Sequence, residues 1–551
     1  MVTLLEHSGR AARRSDDFTT ARVRFEEALA LLGEEQPAWR SRLHVQLSRV
    51  LMLSGDPDAS LREARFAVEA APSVNMVAIA NARVAICLSR MGRAQEARHI
   101  ARQALDAALV AADAEATGIA HNALGYALRC GGQPAAAAAE FQAAATLAAT
   151  TGDEEAVIAR LIDHANSLQL AGDVDGALKA ARQAAMESRR LDVSTGLGAA
   201  AYAYHLFHVG RWQAAARVVD DAISTGGSIP WLVLMRAHLL MGRGELGRAR
   251  RALAAAERLA QGPRSGGWDG PHETAAELLL WSGKPRKALE RVEQALVTVE
   301  VPERSDAIRG LVALGLRAVA DLRRMQPGRR DAPWQGVADE LIDLLRRHAS
   351  LMRDGHPDEV GTHLESTEAV AAAEYARAYG LDTPEAWAGA AAGQEALKNS
   401  WSAAYAWHRR AQALIRIGGP TADIHDCLAA AYRTAVRLHS ARLRVAVEAD
   451  AAAAGLSLLA GPPPSRLAAP MEPRGLTPRE REILGLLRLG ASNRRIAQAL
   501  GISDKTVSVH IGNITGKLGV ANRLEAAAVA MRMSTAPDVT SDIGDANRTP
   551  P

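Results

Sequence analysis

The sequence predicts an all-α protein in two parts, a long array of helical repeats followed by a small helical domain, and three observations lead there. Good helix formers, above all Ala and Arg, dominate the composition, while aromatic residues make up only 4 % of the 551. A glycine followed by two alanines returns at nearly regular steps through the first half of the chain. Residues 476–529 repeat the signs of a helix start, an apolar face and a stop three times over.

The repeat is clearest as Gly92, Ala97, Ala104; Gly132, Ala137, Ala144; Gly172, Ala177, Ala184; Gly210, Ala215, Ala222; and Gly283, Ala288, Ala295. Looser copies begin at Asp16, Gly55 and Gly244. The anchors advance by about the length of one helical hairpin. The glycine ends the first helix, and the two alanines lie on one face of the second, where small side chains let the partner approach closely. With Leu124 and Gly125 before Gly132 and Phe141 after it, the unit resembles a tetratricopeptide-like hairpin. Eight such units over residues 1–298 are expected to stack into a right-handed solenoid, each covering the apolar face that its neighbour cannot.

Residues 299–460 keep a helical character but a poorer register. Pro327 to Pro333 reads as a break, Gly355 to Gly361 as a loop, and Gly418 to Pro420 as a turn between helices. Residues 461–474 carry consecutive prolines, which favour an extended spacer. The tail, 533–551, has almost no apolar content and is expected to be disordered.

The small domain, 475–532, follows helix grammar. Thr477 caps a helix that opens on Pro478, with Glu480 completing a capping box. Ile483, Leu484 and Leu487 give that helix its apolar face. Asn493 or Ser492 can cap a second helix bearing Ile496, Ala497 and Leu500, and Gly501 supplies the turn. Ser503 caps a third. On it Val507, Ile511, Ile514 and Leu518 recur at helical period and should face inward, leaving Asp504, Lys505, Ser508, Gly512 and Asn513 outside. A helix buttressed in this way has the geometry that enters a major groove. Ser508 and Val509 would then reach base edges, while Lys505, Thr506, Asn513 and Lys517 would hold phosphates. Nine Lys or Arg face four Asp or Glu between Gly475 and Arg532, although the whole chain carries only +3, so the basic excess gathers where a polyanion would be met.

The run LTPREREIL, the segment around SNRRIAQALGISDKTVSVH and the ending KLGVANRLEA resemble the LuxR-type helix-turn-helix family at its own spacing. The resemblance implies a four-helix DNA-binding domain whose last helix, about Arg523 to Met531, pairs two copies on DNA. It places the groove-reading residues on Ser508, Val509 and Gly512, within an expected interface of Asn493, Arg494, Ser503, Lys505, Thr506, Ser508, Val509, His510, Gly512, Asn513 and Lys517. Gly512 departs from the family, where a longer polar or basic residue is common, and Gly516 is a second departure.

Taken together, the sequence points to a cytoplasmic, sequence-specific DNA-binding transcription regulator. Its expected partners are double-stranded DNA, a second copy of itself, RNA polymerase, and a small-molecule or protein effector at the repeats. The alternative is an interaction scaffold whose terminal domain is vestigial. The chain resembles the large LuxR-type regulators with a repeat region, but no G-x-x-x-x-G-K-[ST] loop occurs, so nucleotide is not expected to drive it. No cofactor, metal or nucleophile–base set is expected, so the protein does not read as an enzyme. Cys87, Cys130 and Cys427 are too scattered for a disulfide framework, and no stretch has the length of a membrane helix. Tyr204, His208 and Trp212, in the richest aromatic cluster, are candidate effector-binding residues, weighed against a place in the hairpin core. Trp387, Trp401, Tyr405 and Trp407 form a second such cluster.

Overall fold

The structure is a computed structural model. It describes residues 1–14, 17–32, 36–190, 195–225, 229–260, 270–298, 305–326, 334–353, 362–458, 476–488, 491, 493–518 and 526. The expected break at 327–333, the loop at 355–361, the linker and the tail lie outside the described residues. These residues are all-α, with 26 helices and no strand among them. The chain divides into two compact units, Met1–Leu459 and Ala460–Pro551. No helix of the described residues is long and apolar enough to cross a membrane.

The first sixteen helices of the first unit form eight antiparallel pairs, from α1 (Val2–Arg14) and α2 (Phe18–Ala30) to α15 (Gly270–Trp281) and α16 (Pro285–Thr298). Within the pairs, Gly55, Gly92, Gly132, Gly172, Gly210, Gly244 and Gly283 all take positive φ at the turn, a conformation that glycine adopts without a Cβ penalty. The repeating alanines carry out the close approach expected of them. Ala97, Ala104, Ala137, Ala177, Ala184, Ala215, Ala288 and Ala295 have no exposed surface. Small and large residues interlock in two of the pairs: a Cβ placed on Gly125 would lie 2.9 Å from Phe141, and one on Gly9 would lie 2.8 Å from Phe25. These are tetratricopeptide-like hairpins, with each pair packed on the next.

Beyond α16 the pairing continues through α17 (Ser305–Met325), α18 (Trp334–Arg353), α19 (Thr362–Tyr379), α20 (Pro384–Ala396), α21 (Ser400–Ile417), α22 (Thr421–Arg437) and α23 (Ala441–Ala453). The register looked poor in sequence for a physical reason. Lys398 and His439 occupy the left-handed turn positions at φ 52° and 54°, so the glycine that marks the earlier repeats is missing.

These last helices return to the middle of the array. One core joins Leu206, Phe207, Trp212 and Leu232 of α11 (Thr195–His208), α12 (Trp212–Ser224) and α13 (Pro230–Gly242) to Trp401, Leu428, Leu443 and Val447 of α21 to α23. Polar contacts span the same junction: Lys398 Nζ lies 2.5 Å from Asp175 Oδ2, and Gln213 Nε2 lies 3.0 Å from His439 Nε2. The two aromatic clusters of the sequence thus become one. Trp401 packs on both Trp212 and Trp281, and the Arg317 guanidinium sits over Trp281 and Tyr405.

Candidate nucleic-acid interface

The second unit is described through α24 (Pro478–Arg488), α25 (Asn493–Leu500) and α26 (Asp504–Leu518). Ile483, Leu484 and Leu487 of α24, Ile496 and Ala497 of α25, and Val507 and Ile514 of α26 form one core, with Ile511 partly buried against it. Ala526 completes that core, but the expected fourth helix about it otherwise lies outside the described residues.

The capping box has the predicted reciprocal form. Thr477 N donates to Glu480 Oε2 at 2.7 Å, and Glu480 N donates to Thr477 Oγ1 at 3.3 Å. Sequence reasoning missed what closes over it. Lys517 Nζ reaches both Glu480 oxygens, at 3.0 and 2.7 Å, and ties the end of α26 to the start of α24. The Lys517 ammonium and then the Thr477 N–H hold the Glu480 carboxyl down at about 2. Only 2 % of Glu480 is exposed, and the hydrogen bonds outweigh desolvation. Lys517 therefore has a structural partner in addition to any phosphate. Arg479 is also engaged, donating to Leu500 O at the end of α25 and pairing with Glu482 at 2.7 Å.

Ser503 caps α26: Thr506 N donates to Ser503 Oγ at 3.1 Å, and the two hydroxyls lie 2.7 Å apart. Beyond the cap, Lys505, Ser508, Val509, Gly512 and Asn513 form an exposed face, with Val509 58 % exposed. Asn493 Nδ2 donates across to Ser508 Oγ at 3.0 Å, and Ser508 donates in turn to Asp504 O at 3.1 Å. The Ser508 hydroxyl proton is committed, so this residue is left to accept rather than donate. Lys505 makes no ion pair among the described residues. His510 is less available than expected: it is half-buried, and its Nδ1 is covered and without a hydrogen-bond partner. A Cβ on Gly512 would meet nothing within 4 Å, and α26 runs unbroken through both Gly512 and Gly516. The Arg494 side chain lies outside the described residues.

At the repeats, one expected effector residue is corrected. Trp212 is 2 % exposed, stacks on Phe207 at 5.1 Å and donates Nε1 to Phe207 O at 3.0 Å, so it belongs to the core. Tyr204 and His208 pack together, ring centroids 4.3 Å apart. Tyr204 keeps 39 % of its surface, yet burial by surrounding protein, and then Glu273, push its phenol upward. Burial likewise lowers His208 to about 3, with His205, His363 and His238 adding repulsion, and lowers His363 of α19 to about 4.

Residues 474–530 match the family described as bacterial regulatory proteins, luxR family. The chain is similar to the CsgBAC operon transcriptional regulatory protein of Escherichia coli (strain K12), 53 % identical over 51 residues, covering 9 % of this chain and 24 % of that one. It is also similar to the HTH-type transcriptional regulator MalT of Vibrio campbellii, 47 % identical over 55 residues, covering 10 % and 6 %. The matches thus span about a quarter of the first relative's length and less of the second. Among solved structures, a tetratricopeptide repeat protein from Parabacteroides merdae aligns over 50 % of this chain and 98 % of its own, at 14 % identity and a TM-score of 0.34.

Proposed function

We propose, from the premise that residues 474–530 are a luxR-family domain, that the protein is a sequence-specific DNA-binding regulator of transcription in which the helical repeats receive the controlling signal. The observation that carries this reading is the outward face of α26. Lys505, Ser508, Val509 and Asn513 stand exposed on a helix whose opposite side is locked to α24 and α25. Such a helix can lie in a major groove without disturbing its own domain. Val509 offers apolar contact to a thymine methyl, Ser508 an acceptor, and Lys505 and Asn513 phosphate donors. The helix persists through Gly512 and Gly516, which favours a working reader over a vestigial one. Two copies would read a roughly palindromic site, and RNA polymerase is the partner through which occupancy would alter transcription.

Salt-titrated binding to sites recovered by genome-wide mapping tests the proposal. Lys505→Ala should weaken every sequence similarly and reduce the salt slope by about 1, whereas Val509→Ala should reorder sequence preference. Unchanged binding in both variants would defeat it. For the signal, the paired rings of Tyr204 and His208 are the proposed effector site. A metabolite panel screened by thermal shift should yield a ligand whose effect is lost in Tyr204→Ala.

A further inference from the structure

The hydrogen bonds of Ser508 fix which kind of base it can accept. Its hydroxyl donates to Asp504 O at 3.1 Å, one helical turn back on α26. The same hydroxyl accepts from Asn493 Nδ2 of α25 at 3.0 Å. A serine hydroxyl holds one proton and two lone pairs. With the proton on Asp504 O and one lone pair on the Asn493 amide, a single lone pair is left, and Ser508 is exposed to offer it.

Asn493 supplies its share of this arrangement from a different helix. A serine whose hydroxyl turns freely meets amine and carbonyl alike, and so discriminates little between bases. Here the Asn493 amide, itself a donor, bars the proton from its side, and Asp504 O retains it on another. Turning the proton outward would give up the Asp504 bond. The two helices share one core through Ile496, Ala497, Val507 and Ile514, which keeps Asn493 opposite Ser508.

In the major groove, adenine and cytosine carry an exocyclic amine that donates, whereas guanine offers only N7 and O6 acceptors and thymine an O4 acceptor beside its methyl. A lone pair accepts from the first two and is repelled by the others. We propose, resting on the reading of α26 as the helix that enters the groove, that Ser508 selects an amine-bearing base, adenine or cytosine, and that Asn493 is the positioning residue that sets this polarity. Val509, 58 % exposed, can add contact with a thymine methyl. An isopropyl group cannot tell a donor from an acceptor, so the amine preference belongs to Ser508.

Equilibrium binding of the full chain to a library randomised around sites recovered by genome-wide mapping tests this, with the wild type beside Ser508→Ala and Asn493→Ala. The position whose preference disappears in Ser508→Ala is the one that Ser508 reads. There, on one strand of the half-site, the wild type should favour adenine or cytosine over guanine and thymine by about fivefold. The stronger of the two names the base. Asn493→Ala should reduce that ratio toward one at the same position and leave the rest of the profile unchanged. A merely structural loss at Asn493 would lower affinity for every sequence alike and keep the profile intact. Guanine or thymine preferred at that position, or a profile unaltered in either variant, overturns the inference while the DNA-binding reading stands. A wild-type protein that binds no sequence above competitor removes that reading, and this one with it.

Discussion

Glu480 does two jobs with one carboxylate, accepting the Thr477 N–H and holding Lys517. That separates two lysines which look equivalent in sequence. Lys505→Ala should leave the melting temperature of the DNA-binding domain unchanged and lower only DNA affinity, whereas Lys517→Ala should lower both, because Glu480 loses its partner. Thermal denaturation beside binding isotherms distinguishes them. Thr477→Ala removes the cap hydroxyl and should destabilise the domain by about 1 kcal/mol. Gly512→Ala adds a Cβ into open space on a helix and should stabilise the domain by up to about 1 kcal/mol in the same measurement. Both effects rest on local chemistry, which is why the caps and the two faces of α26 were legible in the sequence. The Lys517 pair was not, since it links residues 37 positions apart.

At the level of the helical pair, the design is a small residue set against a large one. Phe141 is fully buried with the Gly125 backbone against its ring, and the Arg129 guanidinium lies 5.2 Å from the ring centroid. Phe141→Ala should cost roughly 3–5 kcal/mol in denaturant unfolding. Gly125→Ala should also destabilise, since its Cβ would fall 2.9 Å from the ring. Glycine turns made seven of the first eight pairs readable. The later pairs were hidden because a lysine and a histidine accept the strained left-handed turn that glycine takes elsewhere.

Over the whole repeat unit, burial keeps a set of histidines neutral. His205 and His348 are lowered to about 4 by burial, joining His363 at about 4 and His208 at about 3. The unfolded chain takes up these protons near pH 6.5 while the folded one resists them, so stability is complete above that value. It should fall as pH drops from 6.5 toward 4, and thermal melts across this window should show the repeat transition moving down. The composition, the spacing of small residues and the helix caps determined that this chain is helical and repeated, and that it carries a small helical domain whose third helix has one buried and one exposed face. Only the tertiary structure decided that Trp401 meets Trp212 and Trp281 and that Gln213 meets His439 across 226 residues. The reason is one of range. Caps, turns and helix faces are set by interactions within a few residues, whereas the return of the last helices to the middle of the array is the accumulated outcome of many helix-pair angles, which no local pattern records.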